Sequence, residues 1–456
     1  MAGIGFELRK LLKRESITGL LQAYAYAAII SSGPWILSIV GILVVGFLSA
    51  SVVIPAARIT QFQVSVTYLI AISLILTGPV QLAFTRFVAD RLFEKKIDSV
   101  LPNFNGMLLL VVLCSGIPGM LVILLLFPGE SLVYRLLMLT GFVLLCGIWL
   151  ATLLLSGLKQ YKQIVSLYAL GYGIAVAAAL ALRRLGLEGL LLGFVLGHFV
   201  MFLGMVLLIA RGFPSSRFIA YDFMGRGRMF PTLIAAGLFY NLAVWEDKLI
   251  FWFHPDTGHA VIGPLHASVI YDLPVFLAYL SIIPGMAVFL TRMETDFVEY
   301  HERFYNMVRE GGSLDQLEEL RDEMVLIIRQ GLGEIVKIQT IAALVVFVAG
   351  PALLRNVGIS ELYLLLLQVH VISAGLQVVL LGIFNVFFYL DKRVIVILLT
   401  LLFASANLLF TLVTIELGAP YYGYGFACAL LLTVMAGTYL LGRKLETLEY
   451  ETFMLQ

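Results

Sequence analysis

Twelve stretches of this sequence contain no Asp, Glu, Lys or Arg and are long enough to cross a membrane as helices. A helix that crosses ~30 Å of hydrocarbon needs about 20 residues, with about 17 as the lower limit. The stretches lie between Glu15 and Arg58, Arg58 and Arg86, Asp98 and Glu130, Arg135 and Lys159, Lys162 and Arg183, Glu188 and Arg211, Arg228 and Glu246, Asp272 and Arg292, Lys337 and Arg355, Glu361 and Asp391, Asp391 and Glu416, and Glu416 and Arg443. The seventh is the weakest, because Glu246, Asp247 and Lys248 interrupt it before the apolar residues resume. The pattern predicts an all-α polytopic membrane protein with twelve transmembrane helices.

The composition supports a membrane protein and excludes an ordinary soluble enzyme. Hydrophobic residues make up 61% of the 456 residues and charged residues 13%, whereas a soluble domain has roughly 25% charged residues. Lipid replaces water around a membrane protein, which therefore needs no polar coat. The net charge of +1 gives no indication of a nucleic-acid partner, and the three cysteines show no metal or disulfide spacing.

The basic residues are distributed unevenly between the predicted loops. With the N-terminus in the cytoplasm, 24 of the 30 Lys and Arg fall on the inner side and five on the outer side, while Lys248 lies within a span. Cytoplasmic loops carry this kind of excess. We therefore predict a multi-pass protein with both termini in the cytoplasm.

The predicted spans divide the chain into seven segments. The first is charged and has apolar residues at near-helical spacing, which predicts either an amphipathic helix on the inner membrane surface or a solvated tail. It lacks the apolar region of a cleavable signal peptide. The segments are 1–19 for this amphipathic N-terminal segment, 20–211 for the first six-helix bundle, 212–228 for a cytoplasmic linker, 229–292 for spans seven and eight, 293–336 for a cytoplasmic acidic helical insert, 337–443 for spans nine to twelve, and 444–456 for a cytoplasmic tail.

Two recurring motifs indicate a duplicated six-helix unit. The pattern Thr-Arg-x-x-x-Asp occurs at Thr85–Asp90 and again, 206 residues later, at Thr291–Asp296. A Leu-Gly and a Gly-Phe pair with equal spacing occur in Leu185–Phe194 and, 232 residues later, in Leu417–Phe426. Because six is an even number, both units would enter the membrane from the same side as parallel repeats, and transporters place their substrate path between such halves. A duplicated scaffold without a transport role is the alternative.

The predicted insert is strongly acidic, with eleven Asp or Glu and four Arg in residues 294–334. Gly311 should end one helix, and Ser313 with Gln316 should form a capping box for the next. The apolar residues that follow at near-helical spacing are Leu314, Leu317, Met324 and Ile328. Such a helical hairpin would either dock a cytoplasmic partner or rest on the inner face of the protein itself.

Charged residues at membrane depth are costly and usually functional. Glu246, Asp247 and Lys248 are predicted in the outer part of span seven, with Asp272 at similar depth in span eight. We expect Lys248 to pair with Asp272 or with Glu246. The four residues are candidates for a proton- or cation-responsive transport site or a substrate contact. An ion pair that locks two helices, or a position at the outer interface, is the alternative.

The repeated motif also predicts two ion pairs at the inner ends of spans two and eight. Arg86 lies four residues before Asp90, and Arg292 lies four residues before Asp296, so each pair meets on one helix face. Paired across the repeat axis, these residues would close an inner gate. Ordinary anchoring by basic residues on the inner side is the alternative.

Span one contains the sequence Ser31, Ser32, Gly33 and Pro34 near its middle. Proline removes a backbone hydrogen bond, and neighbouring serine side chains can bond the freed carbonyls. These residues are therefore candidates for a hinge or for a plain kink.

Three tyrosines within the predicted spans, Tyr24, Tyr26 and Tyr240, are candidates for an aromatic substrate path. Sugar rings stack on aromatic faces, so such a path would suit a glycan. Many of the other aromatic residues should belong to the interfacial belts.

The remaining polar residues indicate neither catalysis nor a metal site. His198 and His370 stand alone in apolar helices and are interpreted as satisfied core residues. His254, His259 and His266 are too loosely spaced to predict a metal site. No catalytic constellation and no phosphate-binding loop is found. The sequence therefore predicts a protein that is not an enzyme and needs no cofactor or metal.

Four sequence segments resemble a known family. They are MAGIGFELRKLLKR at residues 1–14, SSGPW at 31–35, TGPVQLAFTRFVADRLFEKK at 77–96 and WEDKLIFWF at 245–253. With them the chain resembles, over its whole length, the inner-membrane transporters of Pel-type exopolysaccharide systems, within the multidrug/oligosaccharide-lipid/polysaccharide flippase superfamily. The resemblance rests on the overall run of residues and transfers no individual site residue.

The resemblance implies export of an amino-sugar polymer across the bacterial inner membrane and a role in the biofilm matrix. It also implies a cytoplasmic glycosyltransferase partner that uses UDP-sugars, and further inner-membrane Pel-type components, one of which senses cyclic-di-GMP. A lipid-linked sugar diphosphate would require several basic residues in the spans, and the only one well inside a span is Lys248. The alternative function is an ion-coupled exporter of small organic cations, which would use a carboxylate such as Glu246, Asp247 or Asp272.

Overall fold

The computed structural model describes residues 17–158, 160–357 and 360–454, and almost all of them are helical. The helices are α1 (Ile17–Ser49), α2 (Ala57–Phe93), α3 (Val100–Leu126), α4 (Leu132–Gly157), α5 (Tyr161–Leu182), α6 (Leu187–Gly212), α7 (Pro231–Phe253), α8 (Val269–Tyr279), α9 (Ile283–Thr291), a π-helical turn (Arg292–Asp296), α10 (Phe297–Glu310), α11 (Leu314–Val357), α12 (Leu364–Tyr389), α13 (Arg393–Glu416), α14 (Tyr424–Glu446) and α15 (Leu448–Met454). The all-α prediction is confirmed. Residues 1–16, which contain most of the predicted amphipathic segment, lie outside the described residues.

Ten of the helical segments in the described part of the chain are long and apolar enough to cross a membrane. Helix α1 raises the number to eleven if its two halves, bent by 70° to each other, form one span. Helix α7 has 23 residues but carries three charged residues, and it is not among these candidate spans. The protein is thus a multi-pass membrane protein, and the twelfth span in α7 stays a prediction.

The chain forms two compact units. The N-terminal unit comprises Gly33–Trp245 and Phe251–Ser268, and the C-terminal unit comprises the described residues of Met1–Ser32, Glu246–Ile250 and Val269–Gln456. The two units are defined by contacts between residues, whereas the seven predicted segments are defined by the order of spans and loops. The boundaries of those segments stay predictions.

Glycine allows the closest helix packing in the N-terminal unit. A Cβ on Gly193 would lie 2.2 Å from the backbone nitrogen of Ala179, and one on Gly197 would lie 2.3 Å from the carbonyl oxygen of Gly171. Helices α5 and α6 therefore touch along their backbones, as small residues permit in membrane proteins. Beside this seam, Phe84, Phe104, Tyr168, Met201 and Met205 contribute to one buried apolar core.

A β-hairpin connects α7 to α8, where the sequence predicted only a short outer connection. Strands β1 (His259–Ile262) and β2 (Leu265–Ala267) pair antiparallel, with Ala260 opposite His266. Gly263, with a φ of 49°, takes the first position of the two-residue turn. The hydroxyl of Tyr68 in α2 donates a hydrogen bond to the carbonyl of His266 (3.0 Å), which fixes the hairpin within the N-terminal unit.

The acidic insert folds as the sequence predicted at its turn. Helix α10 ends before Gly311, which has a φ of 75°. The Gln316 side chain accepts a hydrogen bond from the Ser313 amide (3.1 Å), and the Ser313 hydroxyl accepts one from the Gln316 amide (3.4 Å). The predicted capping box is therefore confirmed.

The apolar face of the first part of α11 is covered within the C-terminal unit. Leu317, Met324 and Ile328 are buried, whereas Leu314, at the start of this face, is 61% exposed. Arg321 on the same stretch forms an ion pair with Glu449 of α15 (3.1 Å). These contacts favour a helix that rests on its own protein over one whose apolar face docks a partner.

Candidate functional site

Three consecutive charged residues of α7 are buried in the C-terminal unit. Glu246 is 8% exposed, Asp247 is fully buried and Lys248 is 3% exposed. The Lys248 ammonium lies 3.1 Å and 3.2 Å from the two carboxylate oxygens of Asp247. This ion pair is with the adjacent residue, and the predicted pairing of Lys248 with Asp272 or Glu246 stays a prediction. Without water, the nearest carboxylate is the best compensation for a buried ammonium.

Aromatic side chains complete the environment of this ion pair. Tyr271 in α8 is fully buried and its hydroxyl donates a 2.7 Å hydrogen bond to Asp247. The Lys248 ammonium lies 4.8 Å from the ring centre of Phe426 and 5.8 Å from that of Tyr279. Aromatic faces attract cations, most strongly where water is excluded. The pair of Asp247 and Lys248 is therefore neutral overall and stabilised from several helices.

Glu246 differs from its two neighbours because, within the described part of the chain, one of its carboxylate oxygens has no hydrogen-bond partner. Its Oε1 atom is buried and makes no hydrogen bond. Its carboxyl group approaches the backbone of Leu408 in α13. A buried polar atom without a partner costs free energy and requires an explanation, such as a proton or an ion that the site exchanges. Since Asp247 and Lys248 compensate each other, protonation of Glu246 would change the net charge of the cluster.

Asp272 lies in the first turn of α8, directly after Tyr271, and is half-buried. A carboxylate in this position is stabilised by the partial positive charge at a helix N-terminus. The chain thus places Asp272 next to the tyrosine that binds Asp247.

His370 in α12 belongs to the same environment, although the sequence interpretation treated it as a satisfied core residue. Its ring centre lies 4.9 Å from that of Tyr271, edge to face, and 6.3 Å from that of Phe426. Its Nε2 atom is buried and has no hydrogen-bond partner among the residues that the structure describes, so the interpretation was wrong for this atom. No local sequence signal indicates this, because the surroundings come from α8 and α14.

His198 in the N-terminal unit is, by contrast, a satisfied core residue as predicted. One ring nitrogen lies 2.8 Å from the carbonyl oxygen of Phe194 and the other lies 3.3 Å from the hydroxyl of Tyr172. That hydroxyl also bonds Ser38 at 2.7 Å. The hydrogen-bonding groups around the His198 ring are thus uncharged, and both ring nitrogens have a partner.

The two predicted ion pairs of the repeated motif are both present. Arg86 lies 3.0 Å from Asp90 in α2, with both side chains more than one-third exposed. Arg292 lies 2.8 Å from Asp296 and also binds both carboxylate oxygens of Glu334 in α11, at 2.7 Å and 2.9 Å. The sequence analysis missed Glu334, which lies 42 residues from Arg292. Closure of an inner gate by these pairs stays a prediction.

The second copy of the motif adopts a π-helical turn, from Arg292 to Asp296. Such turns occur frequently at functional sites. The Asn385 side chain in α12 donates a hydrogen bond to Glu294, within the turn. The carbonyl oxygen of the same Asn385 side chain is buried and has no partner in the described ranges.

The predicted hinge residues lie where α1 bends. The Ser31 and Ser32 hydroxyls donate hydrogen bonds to the carbonyls of Ala27 (2.7 Å) and Ala28 (2.6 Å). The two helix halves on either side of the break after Gly33 are bent by 70°. The side chain of Pro34 lies outside those described. The bend agrees with either a hinge or a kink, and the hinge stays a prediction.

The three candidate path tyrosines, Tyr24, Tyr26 and Tyr240, are all half-buried. Tyr24 lies near enough to Arg292 and Glu334 for their charges to act on its hydroxyl. The structure thus places Tyr24 near the ion pairs that Arg292 forms with Asp296 and Glu334. A polymer path along these residues stays a prediction.

Within the described ranges, no group of three or more His, Cys, Asp or Glu is arranged to hold a metal ion. His266 in the hairpin places its Nδ1 atom 3.0 Å from the carbonyl of Pro264. His254 accepts a hydrogen bond from the Asp256 amide (3.3 Å). Local backbone contacts therefore account for both rings.

Residues 1–453 match the protein family described as "PelG: Putative exopolysaccharide Exporter (EPS-E)". The chain belongs to the PelG family. No curated protein matches this PelG-family chain.

Solved structures similar to the PelG-family chain are transporters of the MATE family and the MOP superfamily. An outward-facing multidrug resistance MATE family transporter of the MOP superfamily is 12% identical with a TM-score of 0.66, covering 93% of this chain and 96% of the other. A MATE structure in the bent conformation is 13% identical with a TM-score of 0.65, covering 98% and 97%. A MOP superfamily transporter from Pyrococcus furiosus Vc1 is 12% identical with a TM-score of 0.61, covering 93% and 96%. The PelG-family chain therefore has the fold of these transporters.

Proposed function

We propose that this protein exports an exopolysaccharide, a Pel-like amino-sugar polymer, from the cytoplasm to the periplasm across the bacterial inner membrane. The match over residues 1–453 to a family of exopolysaccharide exporters supports this proposal most directly. The transporter fold and the many apolar helices agree with it. In this arrangement both termini lie in the cytoplasm, as the distribution of basic residues predicts.

The charges inside the spans support a neutral or amine-bearing polymer as the substrate. Lys248 is the one buried lysine or arginine among residues 17–158, 160–357 and 360–454. Its charge is already compensated by Asp247 at 3.1 Å. A lipid-linked sugar diphosphate would need free cationic side chains to offset its phosphates. A polymer without phosphate needs none.

Glu246 is the group that we propose to couple export to an ion or proton. The observation that carries this assignment is its buried Oε1 atom, which has no hydrogen-bond partner among residues 17–158, 160–357 and 360–454, next to an ion pair whose charges compensate each other. When a buried carboxyl group gains or loses a proton, its charge changes. This change shifts the equilibrium between conformations that bury the group and conformations that expose it. Asp247, Lys248 and Tyr271 position the site, and Asp272 borders it.

The proposed partners follow from the family. A cytoplasmic glycosyltransferase would synthesise the polymer from UDP-sugars, and further inner-membrane components, one of which senses cyclic-di-GMP, would complete the system. Polymer synthesis and export would then take place on the two sides of one complex, in support of a biofilm matrix.

The test is a clean gene deletion complemented with the wild type or with single variants, with polysaccharide measured inside and outside the cells. We expect the deletion to abolish extracellular amino-sugar polymer. Glu246→Gln should lower export roughly tenfold or more, about 1.4 kcal/mol, with unchanged protein in the membrane, while Glu416→Gln, an exposed control, should export normally. Normal polymer outside the deletion strain, together with its loss of resistance to cationic dyes, would instead establish the small-cation exporter.

A further inference from the structure

The segment between α6 and α7, residues 213–230, is not an unstructured cytoplasmic linker. We refer to it as the Arg217 loop. The Ala220 amide donates a 2.9 Å hydrogen bond to the carbonyl of Pro102 in α3. Asn103 bonds both the side chain of Asp222 (3.0 Å) and its amide (2.8 Å). Phe223, 2% exposed, packs edge to face against Phe84.

A glycine in α3 allows the loop backbone to lie directly on the helix. A Cβ on Gly106 would lie only 2.2 Å from the carbonyl oxygen of Ala220 and 3.2 Å from the ring of Tyr221. No side chain fits between them. The Arg217 loop is therefore held in one position along α3.

The loop contacts α3 at one end of a stripe of exposed apolar side chains. Leu109, Leu113, Ile117 and Leu121, spaced by four residues, are between 39% and 55% exposed. Asn105 continues the same stripe by one more turn, and its amide donates a 2.8 Å hydrogen bond to the carbonyl of Phe218. The Arg217 loop thus ends the face that α3 turns towards lipid.

The depth of this contact follows from the rise of a helix. About 20 residues of α3, counted back from its outer end at Leu126, span ~30 Å of hydrocarbon and reach residue 107 or so. Asn105 then lies roughly 3 Å beyond the hydrocarbon, at the level of the lipid headgroups. Phe218, bonded to Asn105, lies at the same level.

The side chains that the loop exposes there have the chemistry of an interfacial anchor. Phe218 is 79% exposed and Ile219 is 40% exposed. Residues 211–228 contain four arginines and one aspartate. Arg211 and Arg217 are exposed, and in the described part of the chain neither side chain has an ion pair or a hydrogen bond. Apolar side chains beside basic ones bind the surface of a bilayer that contains anionic lipids.

We infer that the Arg217 loop, together with Arg211 in the last turn of α6, binds an anionic phospholipid of the inner leaflet, with Phe218 and Ile219 inserted between headgroups and Arg211 and Arg217 facing the lipid phosphate. The inference uses the orientation in the proposed function, in which this side is cytoplasmic, but needs no polymer export. Failure of either proposal is therefore visible separately.

The depth of the loop is tested with Phe218→Trp in vesicles that contain lipids brominated close to the headgroup. We expect strong additional quenching of tryptophan fluorescence relative to the wild type. Leu314→Trp, at an exposed position of the acidic insert, is the control and should be quenched by aqueous iodide instead. If the added fluorescence of the Phe218→Trp variant were quenched by iodide but not by bromolipid, the inference would be overturned in favour of a surface that faces a cytoplasmic protein.

The charge preference is tested by native mass spectrometry of the purified full-length protein with phosphatidylglycerol or phosphatidylethanolamine. Each arginine near an anionic surface contributes roughly fivefold in affinity. Arg211→Gln with Arg217→Gln should therefore lower the preference for phosphatidylglycerol roughly tenfold or more, while Arg184→Gln, exposed at the opposite ends of the helices, should retain it. An unchanged preference, or equal competition by inorganic phosphate, would overturn the inference.

Discussion

The two copies of the Thr-Arg-x-x-x-Asp motif share a sequence but not a conformation. In both Thr85–Asp90 and Thr291–Asp296 the threonine hydroxyl donates to the carbonyl four residues earlier, at 2.9 Å, and the arginine pairs with the aspartate. The first copy continues a regular α-helix, whereas the second is a π-helical turn whose arginine also binds Glu334. The pair of arginine and aspartate is therefore determined by residues within the motif. The additional contact with Glu334 depends on the helix that packs against the second copy.

The same contrast holds for the buried polar groups of the two units. In the N-terminal unit both nitrogens of the buried His198 have partners, although Ser49, Arg91 and Arg135 each keep one buried polar atom without a partner among the described residues. The C-terminal unit buries Glu246, Asp247 and Lys248, and one polar atom each of Glu246 and His370 has no partner in the ranges that the structure describes. A fully satisfied network stabilises one arrangement, while an incompletely satisfied one is costly unless it exchanges a ligand or a proton. Unpartnered atoms occur in both units, but the charged side chains that are buried among the described residues, Glu246, Asp247 and Lys248, all lie in the C-terminal unit.

The largest expected effect comes from breaking the buried ion pair. Lys248→Met leaves a buried, uncompensated carboxylate on Asp247, to which Tyr271 still donates a hydrogen bond, and should cost about 3–5 kcal/mol of stability. The double variant Asp247→Asn with Lys248→Met removes both charges and should recover most of this loss. The measurement is thermal unfolding of the purified protein in detergent, followed by size-exclusion chromatography. A double variant as unstable as the single one would show that the charges do not compensate each other.

The second effect compares the two motif arginines. Arg292→Gln removes three charge-assisted hydrogen bonds and should cost about 2–3 kcal/mol. Arg86→Gln removes one half-exposed ion pair and should cost less than about 1 kcal/mol. Both are measured as shifts of the same unfolding transition. Equal shifts would contradict the role assigned to Glu334, for which Glu334→Gln is the control.

The third effect separates the two histidines. His198→Gln cannot satisfy both Phe194 and Tyr172 in the same geometry and should cost about 1–2 kcal/mol. His370→Gln removes a ring nitrogen that has no partner, so stability should change by less than about 1 kcal/mol, while export should fall. Stability and export per molecule of protein are measured together for each variant. A stability loss for His370→Gln as large as that for His198→Gln would assign His370 to the core.

The smallest effect concerns Glu451 in α15, outside the membrane. Burial alone would raise the pKa of its carboxyl group, but hydrogen bonds from Lys392 and Lys444 outweigh burial and lower this pKa below the ordinary 4.5. A lowered pKa in the folded state gives stability that is present above about pH 4.5 and is lost as the pH falls through the folded pKa. Glu451→Gln should therefore cost less than about 1 kcal/mol at about pH 7 and nothing well below pH 4.5.

Unfolding of the two proteins between about pH 3 and pH 7 measures this difference. Glu94→Gln is the control in the N-terminal unit, because Lys96 lowers the pKa of Glu94 at a fully exposed position. A difference between wild type and Glu451→Gln that persists at the acid end of this range would contradict the linkage to this carboxyl group.

Local signals in the sequence predicted much of the fold. The stretches without charge correspond to helices, and the capping box at Ser313 and the helix end at Gly311 are both confirmed. The hairpin between α7 and α8 was missed, since strands of four and three residues leave little periodicity to detect.

The candidate site was predicted only in part, because its geometry depends on distant residues. The three charges of α7 were recognised by their rarity in apolar helices. Tyr271, Glu334 and the unpartnered nitrogen of His370 became apparent only when separate helices were packed together. The identity of the partner of Lys248 depends on side-chain reach, which sequence spacing does not encode.

Helix α11 has a mechanical consequence for the whole C-terminal unit. Its 44 residues form one continuous helix, roughly 66 Å long at about 1.5 Å per residue. A bilayer accounts for less than half of that length, and the remainder carries the acidic face of the insert. Near one end, Arg321 of α11 forms an ion pair with Glu449. About 20 Å further along the helix, Glu334 forms an ion pair with Arg292. Helix α11 is therefore a rigid connection between the acidic insert and the π-helical turn, so that a displacement of one would be transmitted to the other.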